Sequence, residues 1–230
     1  MSKAFPKRFY TSVAVVPHDS GFAVTLDKRL LKTPGKLPLV MAREDHAALI
    51  AEEWDAVKDH INPADMPLTR LMNVAVERTP HNRNELIAQA RRYGETDLLC
   101  YRADNPQGLV QQQNEKWTPW LDWAQERGIN LQTTDSLIAV KQEAISLNKI
   151  AEMAAAMDDV SLTLFVHLTA VYGSVILALA VMDSALETGE GFDVSRLDSL
   201  YQAEHWGEDE EAVGIAAATR AETVVLGRLI

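Results

Sequence analysis

Between Val160 and Met182 the chain carries no aspartate, glutamate, lysine or arginine. A run of that length is about enough to cross a bilayer, so it must either span a membrane or lie where other elements surround it. Its flanks favour the second. Asp158, Asp159, Asp183 and Glu187 bracket it, no lysine or arginine stands close by to set a membrane orientation, and Thr163, His167, Thr169, Gly173 and Ser174 interrupt its apolar surface. We expect one long central helix, apolar nearly all round and buried by its neighbours.

The rest of the chain divides around that prospect. From Arg8 to Val40 the pattern is strand-like: Phe9–Val16, a turn over Pro17–Gly21, Phe22–Leu26, a tight Asp27-Lys28 turn, then Arg29–Lys32. Helical spacing begins near Arg43, with Leu49, Ile50, Trp54, Val57 and Ile61 three and four apart. Asn62-Pro63 and Pro67 then restrict the backbone and supply the expected boundary. Beyond it everything reads as helix: Leu68–Thr79, Asn84–Tyr93, Asn114–Arg127 closed by Gly128, Leu147–Met157 and the apolar run, then two more. Asp193 is a candidate cap for the run ending at Trp206-Gly207, and the acids Glu208–Glu211 suit the start of the last helix. The fold class is α+β. We expect an N-terminal domain over residues 1–66, a small antiparallel sheet with a packed helix, and an all-helical bundle domain over residues 67–230.

Composition excludes several classes of function. With 22 Lys and Arg against 33 Asp and Glu, the net charge of −11 disfavours nucleic acid or anionic lipid as a partner. Cys100 is the single cysteine, which rules out an intramolecular disulfide or a cysteine-based zinc cluster and fits a reducing compartment. Met1–Tyr10 is basic but has no apolar core or cleavage signal of a secretory leader. No pair of histidines has the spacing of a helical metal site, and neither a glycine-rich phosphate loop nor a Gly-x-Ser-x-Gly elbow occurs. We therefore expect no metal and no cofactor. An enzyme would have to rest on His167, or on the carboxylates of Asp198 and Glu204, and a lone histidine on an apolar helix is more often a hydrogen-bonded core residue.

Two constellations suit binding. Trp117, Trp120 and Trp123 stand three apart along one helix, a pattern of core packing whose exposed part would anchor a partner. Asp198, Gln202 and Trp206 stand four apart, placing a carboxylate, an amide and an indole along one helical face. The residues alone lead to an α+β binding protein.

The order of several runs carries more. These are Arg8-Phe9-Tyr10, VTLDKRLLKTP from Val24, AEEW from Ala51 with Asp55, MPLTRLMNVAVE from Met66 and ETDLLCYRA from Glu95. WTPWLDWA from Trp117, GSVILALAV from Gly173 and LDSLYQAEHWGEDEEA from Leu197 complete the set. In that combination the chain resembles the assembly chaperones of the ATP synthase F(1) alpha subunit, in their bacterial form. The resemblance implies a chaperone, not an enzyme, that binds free alpha subunit, shields its beta-facing interface until assembly, and needs no cofactor. A general protein-binding chaperone with other clients is the alternative. It further implies a protein that is monomeric when free, without stable membrane insertion, in the bacterial cytoplasm, or the mitochondrial matrix in eukaryotic relatives. The acidic residue of the family's Leu-acidic-x-x-Tyr-Gln run falls on Asp198, where glutamate is common. Partner-binding residues are expected at Asp198, Gln202, Glu204, Trp206, Trp117 and Trp120, with Trp54 structural. Arg70, Tyr93, Asp97 and Arg102, also in matching runs, are expected as buried or interdomain polar pairs. Lys28 replaces a glycine common in the family, which points to another turn type in the hairpin.

Overall fold

The computed structural model describes residues 5–136, 138–207 and 209–230, so the expectations for Met1–Ala4 and Glu208 lie outside the described residues. Contacts group the chain into two compact units, one of Met1–Asn82 with Leu229 and one of Arg83–Arg228 with Ile230.

The first unit is built on an antiparallel sheet of β1 (Val13–His18), β2 (Gly21–Leu26), β3 (Arg29–Leu30) and β4 (Val40–Met41). Strand β2 is central, pairing with β1 from Val13 opposite Leu26 to His18 opposite Gly21, and with β3 and β4 beyond. β4, too short to show alternation, was not expected. The β2–β3 turn keeps the two-residue form in which both central residues are left-handed, with φ of 47° at Asp27 and 67° at Lys28. No other turn type is needed. The Asp27 carboxylate accepts the backbone N–H groups of Thr11 and Ser12 at 2.9–3.1 Å, which draws its pKa down to about 2 and ties the turn to the start of β1.

Helix α1 (Glu44–Asp55) covers the sheet with His46, Ala47, Ile50 and Trp54. It stops six residues short of Ile61, which is buried all the same from the segment that follows. Trp54 joins neighbouring segments through two hydrogen bonds. Its carbonyl accepts the Tyr10 hydroxyl at 2.6 Å, and its indole donates to Thr69 Oγ1 at 3.0 Å. Beside it the Glu53 carboxylate accepts the N–H groups of Leu68 and Thr69 at 2.9 and 2.8 Å, capping α2 (Pro67–Glu77). These bonds hold α2 to α1, so the division between units falls after Asn82, not at residue 66. Burial raises the pKa of Glu53 against the pull of those same bonds.

The second unit takes most of α3 (Thr79–Glu95), then α4 (Gln107–Glu126), α5 (Ala144–Ala155), α6 (Asp159–Tyr172), α7 (Val175–Met182), α8 (Thr188–Ser195), α9 (Leu197–Trp206) and α10 (Glu210–Leu226). α4 begins seven residues ahead of Asn114, directly after Pro106. The expected single apolar helix is two. Gly173 leaves α6 in the left-handed conformation at φ 65°, and Ser174 caps α7, accepting from the Leu177 N–H at 3.1 Å. The break is held from outside. Asp97, fully buried, accepts the Ser174 hydroxyl at 2.9 Å and the N–H groups of Ile176 and Leu99 at 3.1 and 3.0 Å, and Leu98 N–H donates to the Gly173 carbonyl at 3.0 Å. Among the described residues, no helix is long and apolar enough to cross a membrane.

Burial pushes the Asp97 pKa up to about 6 despite those donors. The folded chain then binds a proton that the unfolded chain, with an ordinary aspartate near 4, has already released. This contribution to stability is full below about pH 4 and lost as pH rises to about 6. Asp97→Asn, which keeps the shape but removes one acceptor oxygen, should cost about 1–3 kcal/mol at pH 7. Thermal unfolding from pH 4 to pH 7 should show a stability gap between wild type and variant that shrinks as pH rises through that window; a constant gap would remove Asp97 as the titrating group.

Candidate partner-binding surface

The sequence places tryptophans three apart on α4, and the helix turns them to different depths. Trp117 is completely buried and its indole donates to the Val194 carbonyl at 2.9 Å. It offers no surface to a partner, which corrects the expectation that it binds one: the 100° step of the helix sends this member of the stripe into the core. Trp120 and Trp123 are half-buried, the latter under the Arg127 guanidinium at 4.0 Å.

α9 is seated on α4 by a polar relay. Gln113, almost fully buried, donates from Nε2 to Asp198 Oδ1 at 2.8 Å and accepts the Ala103 N–H on Oε1 at 2.8 Å. Arg102 donates to the carbonyls of Gln113 and Leu99, both at 2.9 Å, and lies 5.4 Å from the Trp117 ring centre. Burial pulls the Arg102 pKa below its ordinary value, while Cys100 and Asp198 act the other way. Leu197 and Tyr201 bury the inner side of α9, and Tyr201 packs so closely on Gly108 that a side chain there would meet its hydroxyl at 3.1 Å. Asp198 therefore faces inward, half-buried, as the residue that fixes α9.

The rest of α9 is largely open. Gln202 and Glu204 are exposed, Leu200 is 57% exposed and Trp206 75%. Asp198 is thus separated in role from Gln202 and Trp206, although all three share a spacing of four. Asp193 does not cap α9; it lies in α8 and pairs with Arg220 of α10 at 2.7 Å. That ion pair, with Thr223 and Leu226, anchors the C-terminal half of α10. The N-terminal half is bare: Ala212, Val213, Gly214, Ile215, Ala217 and Ala218 are all exposed. A helix without charges over such a run is ordinarily buried. Between α4, α8 and α9 a cleft of about 280 Å³ has Val194, Leu197 and Leu200 for its floor, with Lys116 and Glu190 on its edge.

Leu200, Val213, Ile215 and Gln113 were missed from sequence. The uncharged run after Glu211 was the available signal for two of them, since it cannot be amphipathic.

The model of the ATP12 chaperone protein family matches residues 7–125. The chain belongs to the ATP12 chaperone family. It is 42% identical to Atp12 of Paracoccus denitrificans, whose crystal structure superposes with a TM-score of 0.91 over 96% of each chain. An aspartate-to-lysine mutant of that Atp12p matches at 41% identity and the same TM-score, over 96% of this chain and 95% of the mutant. The mitochondrial protein atp12 of Schizosaccharomyces pombe is 26% identical over 221 residues, covering 90% of this chain and 75% of that protein. The ATP12 fold is therefore the α+β arrangement expected, and the chain is a chaperone of the family to which the resemblance pointed. The exposed residues of α9 and of the N-terminal half of α10 are the candidate binding surface.

Truncating the two tryptophans that were expected to act alike should separate them. Trp117→Ala should cost about 3–5 kcal/mol, and Trp206→Ala should stay within about 0.5 kcal/mol, as chemical denaturation would measure. Equal costs would mean that Trp206 is packed.

Proposed function

We propose that this ATP12 chaperone serves ATP synthase assembly by holding the free alpha subunit, with the outer sides of α9 and α10 covering apolar surface that alpha later gives to beta. One observation carries the proposal beyond family membership: the large apolar residues Leu200 and Trp206 of α9 and Val213 and Ile215 of α10 are all exposed. Exposed apolar surface beyond the ordinary marks interaction sites, and Trp is enriched among interface anchors.

The physics needs no chemical step. An unassembled subunit bares an interface meant for its neighbour, and such surfaces associate wrongly. A binder of moderate affinity lowers the concentration of free client by mass action and yields when a tighter partner arrives. Release by beta follows from competition for one surface and requires neither nucleotide nor cofactor. Asp198 contributes as a positioning residue: its bond to Gln113 sets the angle at which α9 presents Leu200 and Trp206. We assign this activity to the bacterial cytoplasm, with the free chaperone a monomer.

The test is co-expression with the alpha subunit of the same organism, followed by size-exclusion chromatography with and without beta. Wild type should yield a soluble complex that beta dissolves. Leu200→Ser combined with Trp206→Ser should weaken capture on the order of tenfold or more while leaving the melting temperature nearly unchanged. A ternary complex that survives excess beta would overturn release by competition, and undiminished capture by the double variant would move the surface elsewhere.

A further inference from the structure

The first unit carries an apolar groove of its own. Between the Lys32–Pro34 segment, the end of α1 and the outer side of α2 lies a cleft of about 550 Å³, within the roughly 300–1,000 Å³ range of ligand clefts. Trp54, Ile61, Met66 and Val74 give it a mainly apolar lining. Its polar groups are largely engaged already. The Trp54 indole donates to Thr69, the Arg70 guanidinium donates to the carbonyls of Pro63 and Ala64 at 3.1 and 3.2 Å, and Glu77 accepts the Gly35 N–H.

Those commitments decide the sign of the groove. Glu77 is the one carboxylate among its lining residues, and its charge is turned to the Thr33–Gly35 loop, whose bonds hold its pKa below the ordinary value. Against it stand Lys32, Arg70 and Arg78. The unit around it is close to neutral, with 11 Lys and Arg against 10 Asp and Glu over residues 1–82, in a chain whose net charge is −11. The groove is thus a cationic, apolar site in an acidic protein, and it prefers a ligand of the opposite sign.

The geometry points to a second docking site here, for a client segment in which apolar side chains stand next to carboxylates. The inference rests on the chaperone function proposed above for its client, but not on the α9–α10 surface. Apolar burial supplies attraction, while Lys32 and Arg78 exclude segments whose apolar residues are flanked by lysine or arginine.

Two fluorescein-labelled peptides test the site, sharing one Leu-Phe core and flanked by aspartates or by lysines. Binding to the full chain is read by anisotropy, and occupancy by the indole N–H resonance of Trp54, assigned with Trp54→Phe. The aspartate peptide should bind at least about tenfold more tightly, shift that resonance, and weaken with salt. Lys32→Glu with Arg78→Glu, both at exposed positions, should abolish the preference with an unchanged melting temperature. Equal affinity for both peptides, no binding of either, or a preference untouched by the charge reversals would each overturn the proposal. Failure of wild type to capture the alpha subunit would instead sink the function proposed above and leave the peptide result to be judged by itself.

Discussion

The second unit is organised by one buried carboxylate. Its sequence carries an uncharged run from Val160 to Met182 that as a continuous helix would extend about 35 Å at 1.5 Å per residue. Breaking it into α6 and α7 lets the two halves pack on each other, but it also leaves backbone groups without helical partners inside a core. Asp97 answers the donors, taking the Ser174 hydroxyl and the Ile176 N–H, while Leu98 N–H answers the Gly173 carbonyl. The negative charge also sits at the N-terminal end of α7, where the helix dipole favours it. Burial raises the pKa and the donors lower it, so the group is held between two opposing demands. The polar cluster specifies where the apolar run must turn, which hydrophobicity alone leaves open.

That contrast explains what the sequence revealed of the fold. The hairpin, the sheet-covering helix and the helical remainder follow from alternation, turn residues and spacing, all of them local. The break at Gly173 was written as two small polar residues in an apolar run, a signal weaker than the surrounding hydrophobicity. It becomes decisive only with Asp97, distant in sequence. The same holds for Glu53, which caps α2 across the proline pair that looked like a domain boundary. Proline restricts backbone angles, but it says nothing about which neighbour a helix packs against.

The candidate binding surface was legible to about the same depth. Spacing placed Asp198, Gln202 and Trp206 along one helix, yet four-residue steps drift around the axis. Which of them faces solvent depends on where α4 lies. Gln113 decides it by drawing Asp198 inward, and a buried glutamine in a Gln-Gln-Gln run has no distinguishing mark. Trp117 shows the reverse error: tryptophan suits both a core and an interface, and only the Val194 carbonyl waiting for its indole settles which. Trp54 is placed differently: its spacing with Ile50 fixes its side of α1 without reference to any distant element.

A chaperone of this kind has to keep apolar surface in water without associating with itself. The distribution of charge offers a physical route. Residues 83–230 contain 23 Asp and Glu against 11 Lys and Arg, so the unit that bears Leu200, Trp206, Val213 and Ile215 holds all of the chain's excess negative charge. Two such surfaces meeting would bring like charges together as apolar contact formed, and repulsion would oppose it within a Debye length. A client patch bordered by cations would feel no such barrier. Excess negative charge in this unit would thus weigh against self-association more than against client binding, while exposed apolar side chains would supply affinity.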